Sequence, residues 1–539
     1  MHYYRIDTTI LPLENGYHEG ENGQYMYRSF LDFSNFKSLY HPTFSSHRPL
    51  HRIFSLARRA GSDLIVFEKI RLRSQDIDGI DTVRGFTLGA NEPDALRISF
   101  LKHKKFDNSV SKPPIEPIDS EHYEMTGYVV FLIGSGNFSD NPGQVYEAVL
   151  APCWKLPDVG PFIHCCKEYT IKTAIGLFKI RGVLYAQQNK RTTFCSHAAM
   201  RMALSCVIPE GDIEYDAIIS QIRQHLSSKR PETLFDDYEF KEFVEIMNSL
   251  GKLNCTSMQW APDNAVFYQV LYDLVESGTP VILGYPYRGT REELDWHAVT
   301  IIGHTFDDHS WAPVANQMYF THPVLQNYSS SANYANTFVL HDDNCGPYLT
   351  LPRNFFAKNQ FPVDDMRPIL FGLTKRRTPM SGFYAEYITY QTLDVLFKSL
   401  EAKEEQSWFA VLYRHYNLKR LVLRPIKISY ERYVAYLEKL NVEKESLSRI
   451  SNHILNISSY WMVEISCHEL FGISKQKFGE ILLYDVDISQ DQYPSVQRTF
   501  ALARLPQIAI FNLDGTLIIE TSIDSYTPLI VSEQYTECG

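Results

Sequence analysis

The alternation of apolar and polar positions changes character twice along the chain. Up to about residue 150, short β-branched and aromatic runs are separated by Gly, Asn, Asp and Pro clusters, the pattern of strands joined by turns. The runs from Asp63 to Leu72 and from Gly127 to Gly134 are the clearest. A polar, proline-bearing stretch from Lys104 to Glu121 predicts a long loop. From about 170 to 375, apolar residues recur at helical spacing. They predict helices near Cys195 to Cys206, Tyr215 to Leu226, Tyr238 to Leu250 and Ala265 to Glu276, the last stopped by Gly278 and Pro280. Strands follow at Pro280 to Tyr285, His297 to Gly303, Gln317 to Phe320 and Thr337 to His341. Helices first, then an antiparallel set of strands, is an α+β order. From about 376 the chain is mixed, helical in spacing over 391–450 and strand-like over 458–515.

Length sharpens this division. At about 150 residues per domain, 539 residues allow roughly three to four domains. The changes of pattern suggest three: a β-rich N-terminal domain over 1–165, a central domain over 166–375, and an α+β C-terminal domain over 376–539. Hydrophobic residues make up 44%, a globular value that excludes wholesale disorder. Acidic residues outnumber basic ones, 63 to 52, for a net charge of -11. That disfavours a nucleic-acid or membrane-surface binder, which would carry a basic excess. No apolar h-region lies between Met1 and Pro12. The longest apolar stretch, near Tyr128 to Ile133, is far short of the roughly 20 residues of a membrane helix. The nine cysteines are irregularly spaced without a CxxC pair, which argues against a zinc ribbon, a thioredoxin motif or a disulfide framework. A reducing cytoplasm is the expected compartment.

Three segments of the central region carry candidate chemistry. In the first, Cys195 precedes Ala198, Ala199, Met202, Ala203 and Cys206, small and apolar residues at helical spacing. Cys195 therefore sits at the first turn of a buried helix, where unpaired N–H groups and the helix dipole favour a thiolate nucleophile. A plain buried thiol is the alternative for any one cysteine. In the second, His297 heads an apolar strand that runs to Gly303 and His304. In the third, a strand ends in His341-Asp342-Asp343-Asn344 and turns at Gly346-Pro347, which an Asx turn alone would also explain.

Taken together, the order of cysteine on a helix, histidine on a strand and aspartate on a following strand resembles papain-like cysteine peptidases. The closer resemblance is to the C39-like family. Cys195-Ser-His-Ala198-Ala199 matches that family's motif at the cysteine and both alanines, and His297-Ala-Val299-Thr-Ile-Ile-Gly303 matches its histidine motif fully. Leu340-His341-Asp342 matches its last strand. The likeness covers about 170 to 375, under half of the chain. It implies a C39-like central domain with Cys195 as nucleophile, His297 as base and Asp342 as its orienting partner. Gln188 and the backbone N–H of Cys195 would hold the oxyanion. It also implies a protein or peptide substrate, cleaved at an amide or isopeptide bond through a thioester, without metal or cofactor.

The chain departs from the family in several places. Ser196 and His197 stand where the family has Gly-Pro. Gln188 lies seven residues before Cys195 and Asn189 six, so the oxyanion assignment stays open between them. The 45 positions between His297 and Asp342 imply an insertion around His309 to Ala335, placed to shape or cover a substrate groove.

Two other functional readings remain. The central domain could be a silent scaffold for protein binding. Alternatively, His297, His304, Asp307, Asp308, His309, His341 and Asp342 could serve a metal-dependent hydrolase. No fixed ligand spacing supports the metal reading, and a regular strand would place His297 and His304 on opposite faces. Two further motifs are set down as structural. Asn512-Leu-Asp514-Gly515 resembles a phosphatase motif, yet Asn512 stands where the nucleophilic Asp belongs, and a strand with an Asp-Gly turn explains it. Cys467-His468-Glu469 are neighbours in sequence that rarely converge in space.

Overall fold

The computed structural model describes residues 2–4, 18–20, 24–29, 47–71, 94–104, 118–132, 144–152, 161–163, 165–187, 195–208, 244, 248, 254–259, 265–288, 294–306, 328–355, 368–374, 380–401, 421–440, 442, 444–454, 459–468, 470–471, 476–486, 496–505, 508–513, 516–520 and 529–530. These residues form an α+β molecule built largely from antiparallel sheets. No helix among them is long and apolar enough to cross a membrane.

The first sheet has nine strands and runs from His18–Glu19 at one edge to Lys167–Thr173 at the other. Both expected strands are present, as Leu64–Arg71 and Tyr123–Leu132. One face is covered by the helix Arg48–Arg59. Its Leu50, Ile53, Phe54 and Ala57 share a core with Phe67, Ile98, Phe131 and Leu150. This helix starts where the His47 side chain accepts the Leu50 N–H and Pro49 occupies the first turn, a position that needs no donor. The sheet runs on through Gly176–Tyr185, past the expected boundary at 165, because that strand pairs with Gln144–Leu150. Most of the loop expected at Lys104 to Glu121 lies outside the described residues.

The middle sheet contains three of the strands expected around the candidate chemistry. Its order is Asn254–Gln259, Ile369–Thr374, Val281–Arg288, Leu294–Phe306, Ala335–Asp342, Gly346–Pro352, with every neighbouring pair antiparallel. The short strand Pro161–Ile163 adds to the far end of Leu294–Phe306. Its backbone explains Gly303: a Cβ there would lie 2.3 Å from the Phe162 carbonyl oxygen.

Two of the four expected central helices are described, Cys195–Val207 and Ala265–Glu276. The Tyr215 to Leu226 helix, most of the Tyr238 to Leu250 helix and the Gln317 to Phe320 strand lie outside the described residues. The Cys195 helix is buried on two sides rather than one. Ala198 and Met202 pack toward the first sheet, while Ala199, Ala203 and Leu204 pack on the middle sheet with Ile282, Ala298 and Phe371. The small side chains let two sheets approach one helix, and Leu204→Ala would cost about 2–5 kcal/mol.

The third sheet runs from Ser329–Ser330 through Leu421–Ile428, Tyr460–Cys467, Gly479–Tyr484, Phe500–Leu505 and Ile508–Leu513 to Thr516–Glu520. Helix Gly382–Glu401 covers one face and helix Tyr430–Lys439 the other. Ile508–Leu513 and Thr516–Glu520 pair antiparallel, while Asp514 and Gly515 lie outside the described residues. His468 accepts or donates a 2.5 Å bond with the buried Tyr334 hydroxyl, a packing role. Ser329–Ser330 pairs with Leu421–Ile428, and the buried turn Ser331–Tyr334 follows it. The described end of the expected insertion therefore ties the middle sheet to the third. Its earlier part, including the positions proposed to cover a groove, lies outside the described residues.

Candidate active site

Cys195 opens its helix, and its side chain is partly exposed. The Ala298 N–H points at Sγ from 3.3 Å, and Sγ lies 3.8 Å from the Trp296 carbonyl oxygen. The thiol thus lies against the backbone on either side of His297. Helix and strand are held at this spacing by Thr300, whose hydroxyl donates to the Ala199 carbonyl, and by Ala199 and Ala203 against Ala298.

His297 is 9% exposed, and its Nε2 lies 3.2 Å from Asp342 Oδ2. Burial alone would lower the imidazole's pKa. Side-chain hydrogen bonds to Asp342 and Cys195, with the charges of Asp342 and Asp343, outweigh it and raise the group to about 11. With Nε2 committed to Asp342, Nδ1 is the ring nitrogen left to serve Cys195. The charged form of the imidazole is thus favoured, between the Cys195 sulfur and the Asp342 carboxylate.

Asp342 does two jobs with its two oxygens. Oδ2 holds the histidine, and Oδ1 accepts the Asn344 and Cys345 N–H groups at 2.8 and 3.0 Å. The Asx turn that would explain this segment as plain structure is present, and it aims the free oxygen at His297. Burial raises the Asp342 carboxyl, but these hydrogen bonds and the imidazolium bring it below the usual carboxylate range. Asp343 was not singled out in the sequence beyond its place in the turn. It is fully buried, its Oδ1 lies 3.7 Å from His297 Nε2, and burial and the Asp342 charge push it up to about 7. No spacing rule separates it from a turn residue.

The first sheet supports this turn from behind. Tyr185 donates to the Asp343 carbonyl, and His341 Nδ1 meets the Leu184 carbonyl. The Tyr348 hydroxyl accepts from the Val183 N–H and donates to the Leu150 carbonyl. Arg52 donates to the Pro347 and Tyr348 carbonyls. Tyr348 holds a φ of 52°, uncommon for a bulky residue, and these bonds keep it there. On the other side, the Tyr285 ring meets the His297 ring edge-on at 5.7 Å, and Phe355 meets Tyr285 at 6.1 Å. Phe355 is exposed, so an apolar wall leads away from the histidine.

Other expected positions fall elsewhere. Gln188, Asn189, Asp307, Asp308 and His309 lie outside the described residues. Gln187, next to them, is used by the first sheet, its side chain accepting from the Val145 N–H. His304 is not on the opposite face from His297. A bulge between Ile301 and Gly303 turns it toward the helix Ala265–Glu276, where it meets Glu276 at 2.5 Å. His341 is fully buried and turned to the first sheet, so among the described residues neither it nor His304 joins His297 and Asp342. Only His297, Asp342 and Asp343 present ligand atoms within 4.8 Å of one another among the described residues. Cys166 is disulfide-bonded, a state that a reducing compartment disfavours, while Cys165, Cys195, Cys206, Cys255, Cys345 and Cys467 are thiols.

No family model matches the chain, and neither a curated protein nor a solved structure does.

Proposed function

We propose that the chain is a cysteine-dependent hydrolase of peptide, isopeptide or related amide bonds, with a papain-like, C39-like central domain. One observation carries this reading: His297 is engaged by Cys195 and Asp342 at once, on a helix start and two neighbouring strands. A scaffold has no need to set a buried, carboxylate-bound histidine beside a partly exposed cysteine. In the reaction, His297 holds the thiol proton, and the Cys195 thiolate attacks the carbonyl carbon. The tetrahedral oxyanion collapses as His297 protonates the leaving amine, giving a thioester. Water, deprotonated by His297, then releases the acid and restores Cys195. The Cys195 N–H at the helix start is one oxyanion donor, and Gln188 is the proposed second. Tyr285 and Phe355 offer a wall for an apolar substrate side chain.

The test is site-resolved alkylation of the full chain followed by assay on a peptide library. Cys195 is expected to label fastest of the free cysteines, and Cys195→Ala is expected to abolish cleavage. Cleavage that survives Cys195→Ala would overturn the proposal.

A further inference from the structure

The aspartate turn carries one carboxylate more than a triad uses. Asp343 is fully buried, and neither of its oxygens has a hydrogen-bond partner, an arrangement that calls for an explanation. Its Oδ1 lies 3.7 Å from His297 Nε2, and Asp342 Oδ2 lies 3.2 Å from the same nitrogen. Zinc held tetrahedrally by bonds of about 2.0–2.1 Å separates its ligand atoms by about 3.3 Å. The two separations bracket that edge. One imidazole, two carboxylates and an open fourth position form a donor set suited to zinc.

We infer that His297, Asp342 and Asp343 form a divalent transition-metal site of the zinc class that arrests the hydrolase when filled. The arrest rests on the cysteine-hydrolase reading; the metal site does not. On binding, the metal takes the Nε2 lone pair, and the proton of Nε2, with any proton on Asp343, passes to solvent. The remaining ring proton stays on Nδ1, toward Cys195. Turnover needs Nδ1 to give that proton to the leaving amine and to take another from water. With the metal on Nε2, giving it up would leave an imidazolate, so the cycle stops. Cys195 is not among the residues whose ligand atoms converge here and is not a ligand.

The experiment uses Zn2+ itself, titrated against a chromophoric chelator, with the full-length chain, Asp343→Asn and Cys195→Ser. Asp343→Asn is expected to weaken binding at least about 10-fold. Cys195→Ser is expected to leave it unchanged, and Co2+ in place of Zn2+ is expected to give no thiolate charge-transfer band. Absence of binding to the unmodified chain would overturn the inference. So would binding that Cys195→Ser removes and Asp343→Asn spares. Should Asp343→Asn fail to fold, alkylation of the unmodified chain decides. Zn2+ is expected to slow Cys195 labelling, because the filled site leaves no charged imidazole beside the thiol, and labelling unchanged at saturating Zn2+ would contradict the arrest. A thiolate charge-transfer band with Co2+ in the unmodified chain would contradict the ligand assignment. Cys195 that resists alkylation without Zn2+ counts against the hydrolase reading and leaves the metal measurement standing.

Discussion

His297 and His304 lie on one strand and each faces a carboxylate, yet they differ in almost everything else. His304 and Glu276 are both fully buried, with Arg424 of the third sheet 3.3 Å from the same Glu276 oxygen. Phe162 stacks on the His304 ring and Tyr272 tilts against it. Arg424 continues to Glu464, and Glu464 to Lys477, so this pair begins a buried ionic chain that joins two sheets. His297 instead sits beside a partly exposed cysteine, next to an apolar wall that opens outward. A histidine–carboxylate pair by itself therefore does not mark chemistry here. The proposed function rests instead on a thiol beside the histidine and a wall that opens outward.

The comparison can be broken from its buried side first. Glu276→Ala removes the carboxylate that His304 and Arg424 share, leaving Arg424 only Glu464, and is expected to cost about 3–5 kcal/mol in denaturant unfolding. Cys195 alkylation of the folded fraction is expected to stay as in the unmodified chain. A loss of alkylation in folded Glu276→Ala would show that the two pairs are coupled. Tyr348→Phe comes next. It removes the partner of the Leu150 carbonyl and the Val183 N–H behind the aspartate turn, and about 1–3 kcal/mol of stability is expected to go with it.

A third histidine sharpens the contrast without a carboxylate. His341 is bonded to a neutral carbonyl, and burial lowers it from 6.5 to about 3. The unfolded chain takes up this proton near pH 6.5 and the folded one only near 3. Stability is therefore full above about 6.5 and falls as pH drops toward 3. Unfolding midpoints measured across that window are expected to decline less in His341→Gln than in the unmodified chain. The smallest effect is expected at the wall: Phe355→Ala should raise KM for substrates with an apolar side chain beside the cleaved bond, by about 10-fold or less, and leave kcat nearly unchanged.

Much of the fold was legible because its period was clean. The Ala265–Glu276 helix and the three strands carrying or flanking His297 and Asp342 follow directly from apolar spacing and from Gly278 and Pro280. The convergence of Cys195, His297 and Asp342 was legible only through the order of three short motifs, since each alone has an ordinary structural explanation. Asp343 was hidden because an Asx turn accounts for two consecutive aspartates. Regular alternation places His304 opposite His297; the bulge between Ile301 and Gly303 overturns that, and it lies in pairing with strands distant in sequence. The support from Tyr185 and Tyr348 was invisible for the same reason: it depends on contacts between sheets.

The central claim is that His297 activates Cys195. The most direct measurement is the site-resolved alkylation rate of Cys195 at neutral pH in the unmodified chain, His297→Ala and His304→Gln. The account predicts a fall of about 10²–10⁴-fold in His297→Ala and an unchanged rate in folded His304→Gln. Equal rates in the unmodified chain and His297→Ala, with Cys195 no faster than the exposed Cys345, would contradict it.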